Sequence, residues 1–568
     1  MQITPELTFL ADSVYKASKS ESNGDVKTKG HPTVENEEDL DDLEAGPELP
    51  PEDDLQPDDE DGRFFGAGVS RSTANLLDFI EERDKDDAKP EKIDSAWLRK
   101  LALNFEKRIS KNAELRAKFE DEPQKFMGSE ADLDADIKAL SILSEHPELY
   151  EDFAKLGCVA SLVSLLSHDN TDIAIDAIEI INELSDEDVD AEPDQWDALI
   201  DAMLEADLLS LLYENIARMD EDLESDRAGV YHILGVMENL SSRSSIVLEI
   251  GLHTKFIPWL TSRIQKKEAT VSQNKQFSAE ILAILLQSSS ENRASYVSQN
   301  GVDICLQLLS PYRKRDPAKG TEEEEYVENI FDCITCCVDD IGGKEKFVEA
   351  EGIELCLIML REGKMSKPRA LRLLDHSLSG PLGTICCERL VEAAGLKATF
   401  GLYLKRQASE STEHLLGILA SLLRSLPAET SQRVRLLSKF EEKNWRIIDN
   451  LVTTRREAAS GVAVVDKDIR EEKAKLAAEE QGDRADEWLS RRLDAGLYTL
   501  QTADTILAWL VAEDDRAKHM VLETLADRGE GLEVIRKTLQ EQLDTMSTSP
   551  DEQDPMLKDM ISTLIGFL

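Results

Sequence analysis

Four acidic residues in the segment Asn170–Leu184 have types and spacing that suit cation binding. Asp172, Asp176, Glu179 and Glu183 follow an i, i+4, i+7, i+11 pattern, so in a helix they share one face. Apolar residues occupy the opposite face of the same helix. Carboxylates this close repel one another unless a cation lies among them. The pattern therefore predicts a surface that binds Lys- and Arg-rich protein segments.

Polar residues in later segments are expected to extend this acidic face. They are Glu238, Asn239, Glu328 and Asp332. A charged helix face is often only solvated, and that alternative stays open for all eight positions. The Trp and Asn ladder by which importin-like grooves hold basic peptides is absent, since Gly235 stands where the second unit would carry its Trp. A bound peptide would therefore be held mainly by charge.

Residues that resemble catalytic or metal sites do not have the required arrangement. The group Cys333-x-x-Cys336-Cys337 lies in an apolar helix, without a second such pair or a nearby histidine, so we interpret it as buried thiols. His376 has Asp375 and Ser377 as sequence neighbours, which point to different helix faces and cannot form a triad. We predict a non-enzymatic protein with no catalytic, cofactor-binding or metal-binding residues.

The elements that position the acidic residues repeat every 43 to 51 residues. In each unit a small residue separates two apolar runs, and a longer amphipathic helix follows. The small residues are Gly157, Ala206, Gly251, Gly301, Gly352 and Gly395. This period is typical of armadillo or HEAT units, which bury their apolar faces only by stacking. The sequence predicts an all-α, right-handed superhelical solenoid with N- and C-terminal helical caps, whose third helices line a concave groove.

The chain of 568 residues divides into five predicted segments. The first, 1–61, carries 19 acidic and 4 basic residues with few large apolar groups, so we predict that it is disordered. The others are an N-terminal helical cap over 62–145, an armadillo-like repeat array over 146–430, a helical extension and charged connector over 431–486, and a C-terminal helical cap over 487–568.

Charge and composition restrict the partners and the compartment. The formal net charge is −50, which repels nucleic-acid phosphates and attracts basic protein segments. No run approaches 18 apolar residues, and the first residues lack the pattern of a secretory signal, so we expect no membrane association. The 8 cysteines, two pairs of which are adjacent, indicate a reducing compartment rather than a disulfide framework.

Five sequence blocks, in order along most of the chain, carry a resemblance to a known family. They are Asn104–Phe119, Ser167–Asp172, Ser278–Gln287, Leu374–Pro381 and Arg491–Leu497. From about residue 92 onward the chain resembles the β-catenin-like protein 1 family of nuclear armadillo-repeat proteins associated with the spliceosome.

The resemblance implies partners and a location. It implies an armadillo array between helical caps, a tendency to form a homodimer, and association with the Prp-nineteen-type splicing complex. The implied partners are basic, nuclear-localisation-like segments of splicing proteins such as the cell-division-cycle-five-like factor, with RNA contacted only indirectly. The chain is therefore expected to be nuclear. Its first segment offers only Lys27-Thr-Lys29 as a basic signal, so import with a partner is expected.

The main hypothesis is a scaffold of pre-mRNA splicing whose acidic groove binds basic segments. One alternative is a nuclear transport adaptor that reads import signals, although such an adaptor needs a basic importin-β-binding tail and residues 1–61 are acidic. The other is a solenoid that contacts RNA directly. Its candidate contacts are Lys107, Arg108, Lys111, Arg116 and the loop Arg313–Arg315.

Overall fold

A computed structural model describes residues 92–568, except 253–254, 381, 406, 477–480, 483 and 549–554. The tail predicted over 1–61 and the first part of the predicted N-terminal cap lie outside these residues. Every regular element in the described chain is an α-helix or a 3-10 helix, which confirms the all-α class. None of the described helices is long and apolar enough to cross a membrane.

Two helices precede the repeats. The carboxylate of Asp94 caps the first of them, because it accepts the backbone N–H groups of Ala96 and Trp97 at 3.0 and 3.2 Å. The helices are α1 (Ser95–Lys118) and α2 (Met127–Ala139). They pack against each other, with Phe105 and Ile137 buried between α1, α2 and the first repeat.

Six units of three helices follow. Their helices are α3 (Tyr150–Lys155), α4 (Cys158–Ser164) and α5 (Thr171–Ser185); α6 (Pro193–Glu205), α7 (Leu208–Arg218) and α8 (Glu224–Leu240); α9 (Ser244–Leu252), α10 (Phe256–Gln265) and α11 (Gln273–Ser288); α12 (Ser290–Ser298), α13 (Gly301–Leu309) and α14 (Glu322–Cys337); α15 (Ile341–Glu349), α16 (Gly352–Glu362) and α17 (Ser366–Leu378); α18 (Thr384–Glu392), α19 (Leu396–Tyr403) and α20 (Ser409–Ser425). Short 3-10 helices lie at Pro123–Lys125, Leu140–Glu145, Pro147–Leu149, Leu165–Ser167 and Ser310–Arg313.

The third helices of the units, α5, α8, α11, α14, α17 and α20, form a stack that we call the ladder. Each ladder helix packs against the next, as the repeat pattern predicts. Aliphatic side chains on one side of each helix form the continuous core. In α5, for example, Ile180 and Leu184 are 3% and 0% exposed. The polar sides of the ladder helices therefore form one surface, which we call the ladder face.

The small residue between the first two helices of a unit allows a close approach. At Gly352 an added Cβ would lie 2.2 Å from the ring of Phe347, so no larger side chain fits unless the ring moves. The left-handed turn falls one residue earlier, on Glu351, where φ is 58°. At this junction Gly352 thus provides space beside an aromatic ring, while its neighbour Glu351 carries the unusual backbone angle.

Six helices in the described chain close the array. They are α21 (Ser431–Lys473), α22 (Ala485–Asp494), α23 (Leu497–Glu513), α24 (Asp515–Ala526) and α25 (Glu533–Thr548), followed by α26 (Pro555–Phe567). Helix α21 is kinked where Lys443, Asn444 and Trp445 take positive φ angles. Helix α23 packs against α20 and α21 and so continues the ladder.

The C-terminal helices pack on one another and on the end of the array. In α21, Leu436 is buried, whereas Val434 is 59% exposed. The last helix, α26, buries Ile561 and Leu564 and packs on α23 and α25, so it caps its own chain. In the charged connector, the carboxylate of Glu472 accepts a hydrogen bond from the Trp488 indole at 3.1 Å, which ties the connector to α22.

Candidate functional site

The four carboxylates predicted on α5 lie on one polar side of that helix, but they are not equally open. Asp172 and Glu179 are exposed, whereas Asp176 and Glu183 are half-buried. The Asn170 side chain caps the helix by accepting the backbone N–H of Asp172 at 3.1 Å. The sequence pattern therefore identified the polar side of α5. Contacts with other helices cover two of its carboxylates and leave the other two exposed.

Asp176 faces α2, where a cation and a second carboxylate already lie. Its carboxylate is 3.4 Å from Lys138, which also binds Asp134 at 2.6 Å. Burial raises the pKa of Asp176, and Asp134 beside it adds to this shift. A hydrogen bond from Asp176 in turn lowers the pKa of Asp134. The two carboxyl groups therefore lie around one lysine, and Asp176 is engaged within the chain.

The remaining two carboxylates of α5 also have neighbours. Glu183 accepts hydrogen bonds from the hydroxyls of Ser141 and Ser144 at 2.5 and 3.1 Å. Glu179 lies 4.0 Å from the ring of His232 on α8. Burial lowers the pKa of His232, although Glu179 opposes that shift. Of the four carboxylates, only the exposed ones, Asp172 and Glu179, remain open to a partner.

The predicted extension at α14 is occupied by arginines of α17. Glu328 pairs with Arg369, and Asp332 pairs with Arg372. Burial lowers the pKa of both guanidinium groups. These two carboxylates therefore lie in a part of the ladder face where charge is balanced by intramolecular ion pairs.

The side chain of Asn239 connects two neighbouring ladder helices, α8 and α5. Its amide donates to the backbone carbonyl of Asn182 at 3.2 Å and to the Ser185 hydroxyl at 3.1 Å. The side chain of Asn182 lies over Gly235, where an added Cβ would be only 2.3 Å from the Asn182 oxygen Oδ1. A tryptophan has no room at Gly235, which gives a structural reason for the missing ladder residue.

Glu238, the remaining predicted residue, lies at the centre of the strongest acidic region. Burial raises the pKa of Glu238 to about 7, and Glu280, Glu187 and Asp186 raise it further. Each charged neighbour that shifts this pKa is a carboxylate. Burial and the neighbouring carboxylates therefore favour the protonated, uncharged form of Glu238.

Glu280 on α11 is the main residue that sequence reasoning missed. Burial raises its pKa, which the nearby Glu325 and Glu322 raise further, while the Gln276 amide donates to it at 2.8 Å and opposes the shift. The one feature of the sequence that could have revealed Glu280 is its position as a lone carboxylate in the apolar run Phe277–Leu286. A single acidic residue lacks the helical spacing that made the α5 group visible.

An aromatic ring accompanies these carboxylates. Tyr231 on α8 lies 5.3 Å from the ring of Phe277, centroid to centroid. Burial raises the pKa of the Tyr231 hydroxyl, and the carboxylates of Glu238, Glu280 and Glu322 raise it further. We call Tyr231, Glu238, Glu280, Glu322 and Glu325 the central acidic cluster. Carboxylates beside an aromatic face suit the ammonium of Lys or the guanidinium of Arg.

Two other candidate sites have structural roles in the described chain. In the basic group proposed for RNA, Arg108 binds Asp132 at 2.6 Å, and Arg116 pairs with Glu130. Cys333 and Cys337 are fully buried, and burial raises the pKa of the Cys336 thiol to about 12. The described residues contain no group of three or more His, Cys, Asp or Glu side chains placed to hold a metal ion.

The stacked three-helix units and their ladder face define an armadillo-type helical solenoid. A family model described as "Catenin-beta-like, Arm-motif containing nuclear" matches residues 74–540. The chain is 40% identical over 458 residues to the beta-catenin-like protein 1 homolog of Schizosaccharomyces pombe, covering 80% of each chain. It is 35% identical over 491 residues to beta-catenin-like protein 1 of Homo sapiens, covering 84% of this chain and 86% of that one. The chain belongs to this catenin-beta-like family.

Solved structures that align with the chain include designed proteins. An engineered protein aligns with a TM-score of 0.48 at 15% sequence identity, covering 81% of this chain and 98% of its own. A designed armadillo repeat protein aligns with a TM-score of 0.34 at 14% identity, covering 55% of this chain and 99% of its own.

Proposed function

We propose that this chain is a non-enzymatic nuclear scaffold whose ladder face binds Lys- and Arg-rich segments of splicing proteins. The observation that carries the proposal is the central acidic cluster, where the pKa of Glu238 is raised to about 7 by burial and by neighbouring carboxylates. Burying like charges together costs free energy, and a partner cation removes that cost.

The contact we propose is specific in position. A Lys or Arg side chain lies between Glu238 and Glu280 and against the ring of Tyr231, while neighbouring cations of the same segment meet Asp172 and Glu179. The charge-balanced region at Glu328 and Asp332 contributes less, because those carboxylates already pair with arginines.

The family resemblance supports the biological setting. It favours pre-mRNA splicing, in a Prp-nineteen-type complex, with nuclear-localisation-like segments of the cell-division-cycle-five-like factor as the expected partners. The overall charge of −50 supports basic proteins over nucleic acid as direct ligands.

Binding of a fluorescent Lys/Arg-rich peptide, followed by anisotropy, tests this function. The variant Glu238→Gln with Glu280→Gln should weaken binding about tenfold or more, and binding should weaken further as salt rises. The control is Glu151→Gln with Glu349→Gln, which makes the same charge change at exposed carboxylates of α3 and α15. Equal affinity of both variants and wild type would rule out the central acidic cluster as the binding site.

A second variant separates the two parts of the proposed contact. The double substitution Asp172→Lys with Glu179→Lys reverses the two exposed α5 charges and leaves the central acidic cluster intact. We expect it to weaken peptide binding without loss of the fold, because Asp172 and Glu179 are exposed. Unchanged, salt-independent binding by this variant would show that the α5 face is merely solvated.

A further inference from the structure

One edge of the solenoid is basic, in contrast to the rest of the chain. In three consecutive units, the loop that joins the second helix to the ladder helix is rich in lysine and arginine. Segments 266–272, 310–320 and 361–367 together contain nine Lys or Arg residues and three Asp or Glu residues. The full chain has 115 acidic and 65 basic residues, so this concentration of cations runs against the overall charge. We call these three segments the basic rim.

Direct contacts join the second and third segments of the rim. Lys314 binds Glu362 at 2.8 Å, and the Asp316 carboxylate accepts the backbone N–H of Met365 at 3.1 Å. Next to the first segment, the hydroxyl of Tyr326 on α14 donates to the carbonyl of Ile264 on α10 at 2.9 Å and so holds these two helices together. The hydrogen bond from Lys314, and the charges of Lys314, Arg361 and Arg313, hold the pKa of Glu362 below its usual range.

The acidic start of α14 offsets only part of the rim. Glu323 pairs with Arg315, and Glu324 accepts the backbone N–H of Gly320 at 2.6 Å. Glu322 and Glu325 raise the pKa of Glu280 and so belong to the central acidic cluster. Lys314 is exposed but paired with Glu362, whereas the exposed cations Lys319 and Lys364 remain available to an anionic partner.

We propose that the basic rim binds the acidic N-terminal segment of the same chain, residues 37–61. This segment contains 14 acidic and no basic residues. The inference is independent of peptide binding at the ladder face, because it uses different residues and the opposite charge.

Reach and tethering favour this occupant. The 30 residues from 62 to 91 separate the acidic segment from the described chain, and an extended chain of that length spans about 100 Å. The rim lies about four stacked units from α1, or about 40 Å at the usual spacing of packed helices. A free polyanion such as RNA must approach against the field of the whole acidic protein. A tethered segment is instead held near the rim at an effective concentration of about millimolar.

The shape of the rim favours a peptide over a nucleic acid. Beside Lys266 lies an open cleft of about 330 Å³ with the ring of Trp259 as one wall. Arg263 and Glu221 also line this cleft and pair with each other at 2.7 Å. The acidic segment carries leucines among its carboxylates, at 40, 43, 49 and 55. A leucine placed in this cleft would leave its neighbouring carboxylates beside the basic side chains of the rim.

Energy transfer within the full-length chain tests the proposal. A donor at Leu55→Cys and an acceptor at Ala318→Cys report the distance between the segment and the rim. The native thiols do not interfere, because seven are buried and burial raises the pKa of Cys336 to about 12. We expect transfer efficiency to fall by about half or more in 1 M salt, where the Debye length shrinks to about 3 Å.

Charge reversal provides the decisive comparison. The rim variant carries Lys314→Glu, Lys319→Glu and Lys364→Glu, and its control carries Lys155→Glu, Lys346→Glu and Lys467→Glu at other exposed lysines. Transfer should drop in the rim variant and remain at the wild-type level in the control. Equal transfer in the two variants would overturn the proposal.

Two further measurements exclude other occupants. Transfer between separately labelled donor and acceptor chains would show that a second copy, and not the same chain, fills the rim. Labelled single-stranded RNA that binds wild type and loses affinity in the rim variant, while intramolecular transfer stays constant, would assign the rim to nucleic acid. Either result contradicts the proposal.

Discussion

Glu238 and Glu280 place carboxyl groups where both solvent and cations are scarce. The pKa of Glu238 is raised to about 7, and that of Glu280 is raised as well, first by burial and then by acidic neighbours. Such a site stores electrostatic cost in the free protein. A cation of a basic partner would lower this electrostatic free energy. Substitutions of these two glutamates should therefore change both the free energy of unfolding and the affinity for the partner.

Glu238→Gln should stabilise the fold in a pH-dependent way. The folded-state pKa lies above the unfolded value, so protonated Glu238 favours the fold at low pH, and this contribution is lost as pH rises through about 7. The uncharged variant avoids that loss. We expect thermal unfolding at pH 8 to show a gain of about 1–2 kcal/mol over wild type, and no gain at pH 4. A constant difference at both pH values would contradict the raised pKa.

Gly235→Ala should destabilise the contact between α5 and α8. The new Cβ would lie 2.3 Å from the Asn182 oxygen Oδ1, so the amide must move and lose its place between the helices. We expect a loss of about 1–3 kcal/mol in chemical unfolding. The control is Gly401→Ala in α19, where no atom lies within 4 Å of the added Cβ, and which should be neutral or slightly stabilising. Equal stability of the two variants would contradict the close packing at Gly235.

At the scale of elements, periodicity predicted much of the fold. The spacing of Ile180, Leu184 and their neighbours is local in sequence, so the buried side of α5 was visible there. The engagement of Asp176 was not, because Lys138 and Asp134 come from another helix whose register against α5 depends on tertiary packing. Glu280 was hidden for the same reason, since its acidic neighbours Glu322 and Glu325 lie one unit further along the chain.

Ile180→Asp or Leu184→Asp should unfold at least the first repeats. Both side chains are almost completely buried, and an unpaired carboxylate there costs several kcal/mol. Circular dichroism should show lost helicity and a less cooperative melting transition. The control is Glu179→Gln on the exposed side of the same helix, which should melt like wild type. Full helicity with wild-type melting in either aspartate variant would mean that α5 faces the other way.

At the scale of the whole molecule, charge is separated along the chain and across the solenoid. The ladder face carries the central acidic cluster, one edge carries the basic rim, and residues 1–61 carry 19 acidic residues. The stacked core consists mainly of aliphatic side chains. Its stability therefore rests mainly on apolar packing, and the charged surfaces lie outside it.

Deletion of residues 1–61 should change the melting temperature by no more than about 2 °C. The segment is poor in large apolar residues, so it adds little buried surface, and exposed ion pairs at the basic rim contribute about 1 kcal/mol or less. Differential scanning calorimetry of full-length and shortened chains measures this. A fall of many degrees would show that the segment forms part of the folded core.

The most direct test of the account is proton release during peptide binding. A Lys or Arg side chain placed between Glu238 and Glu280 must lower the raised pKa of Glu238, so binding at pH 7 should release about half a proton. Calorimetric titration of the full-length protein with a Lys/Arg-rich peptide, in buffers of different ionisation enthalpy, measures that number. The account predicts release near pH 7, tighter binding as pH rises from 6 to 8, and loss of both effects in Glu238→Gln. Peptide binding without proton release, and with the same affinity in Glu238→Gln, would contradict the central acidic cluster as the binding site.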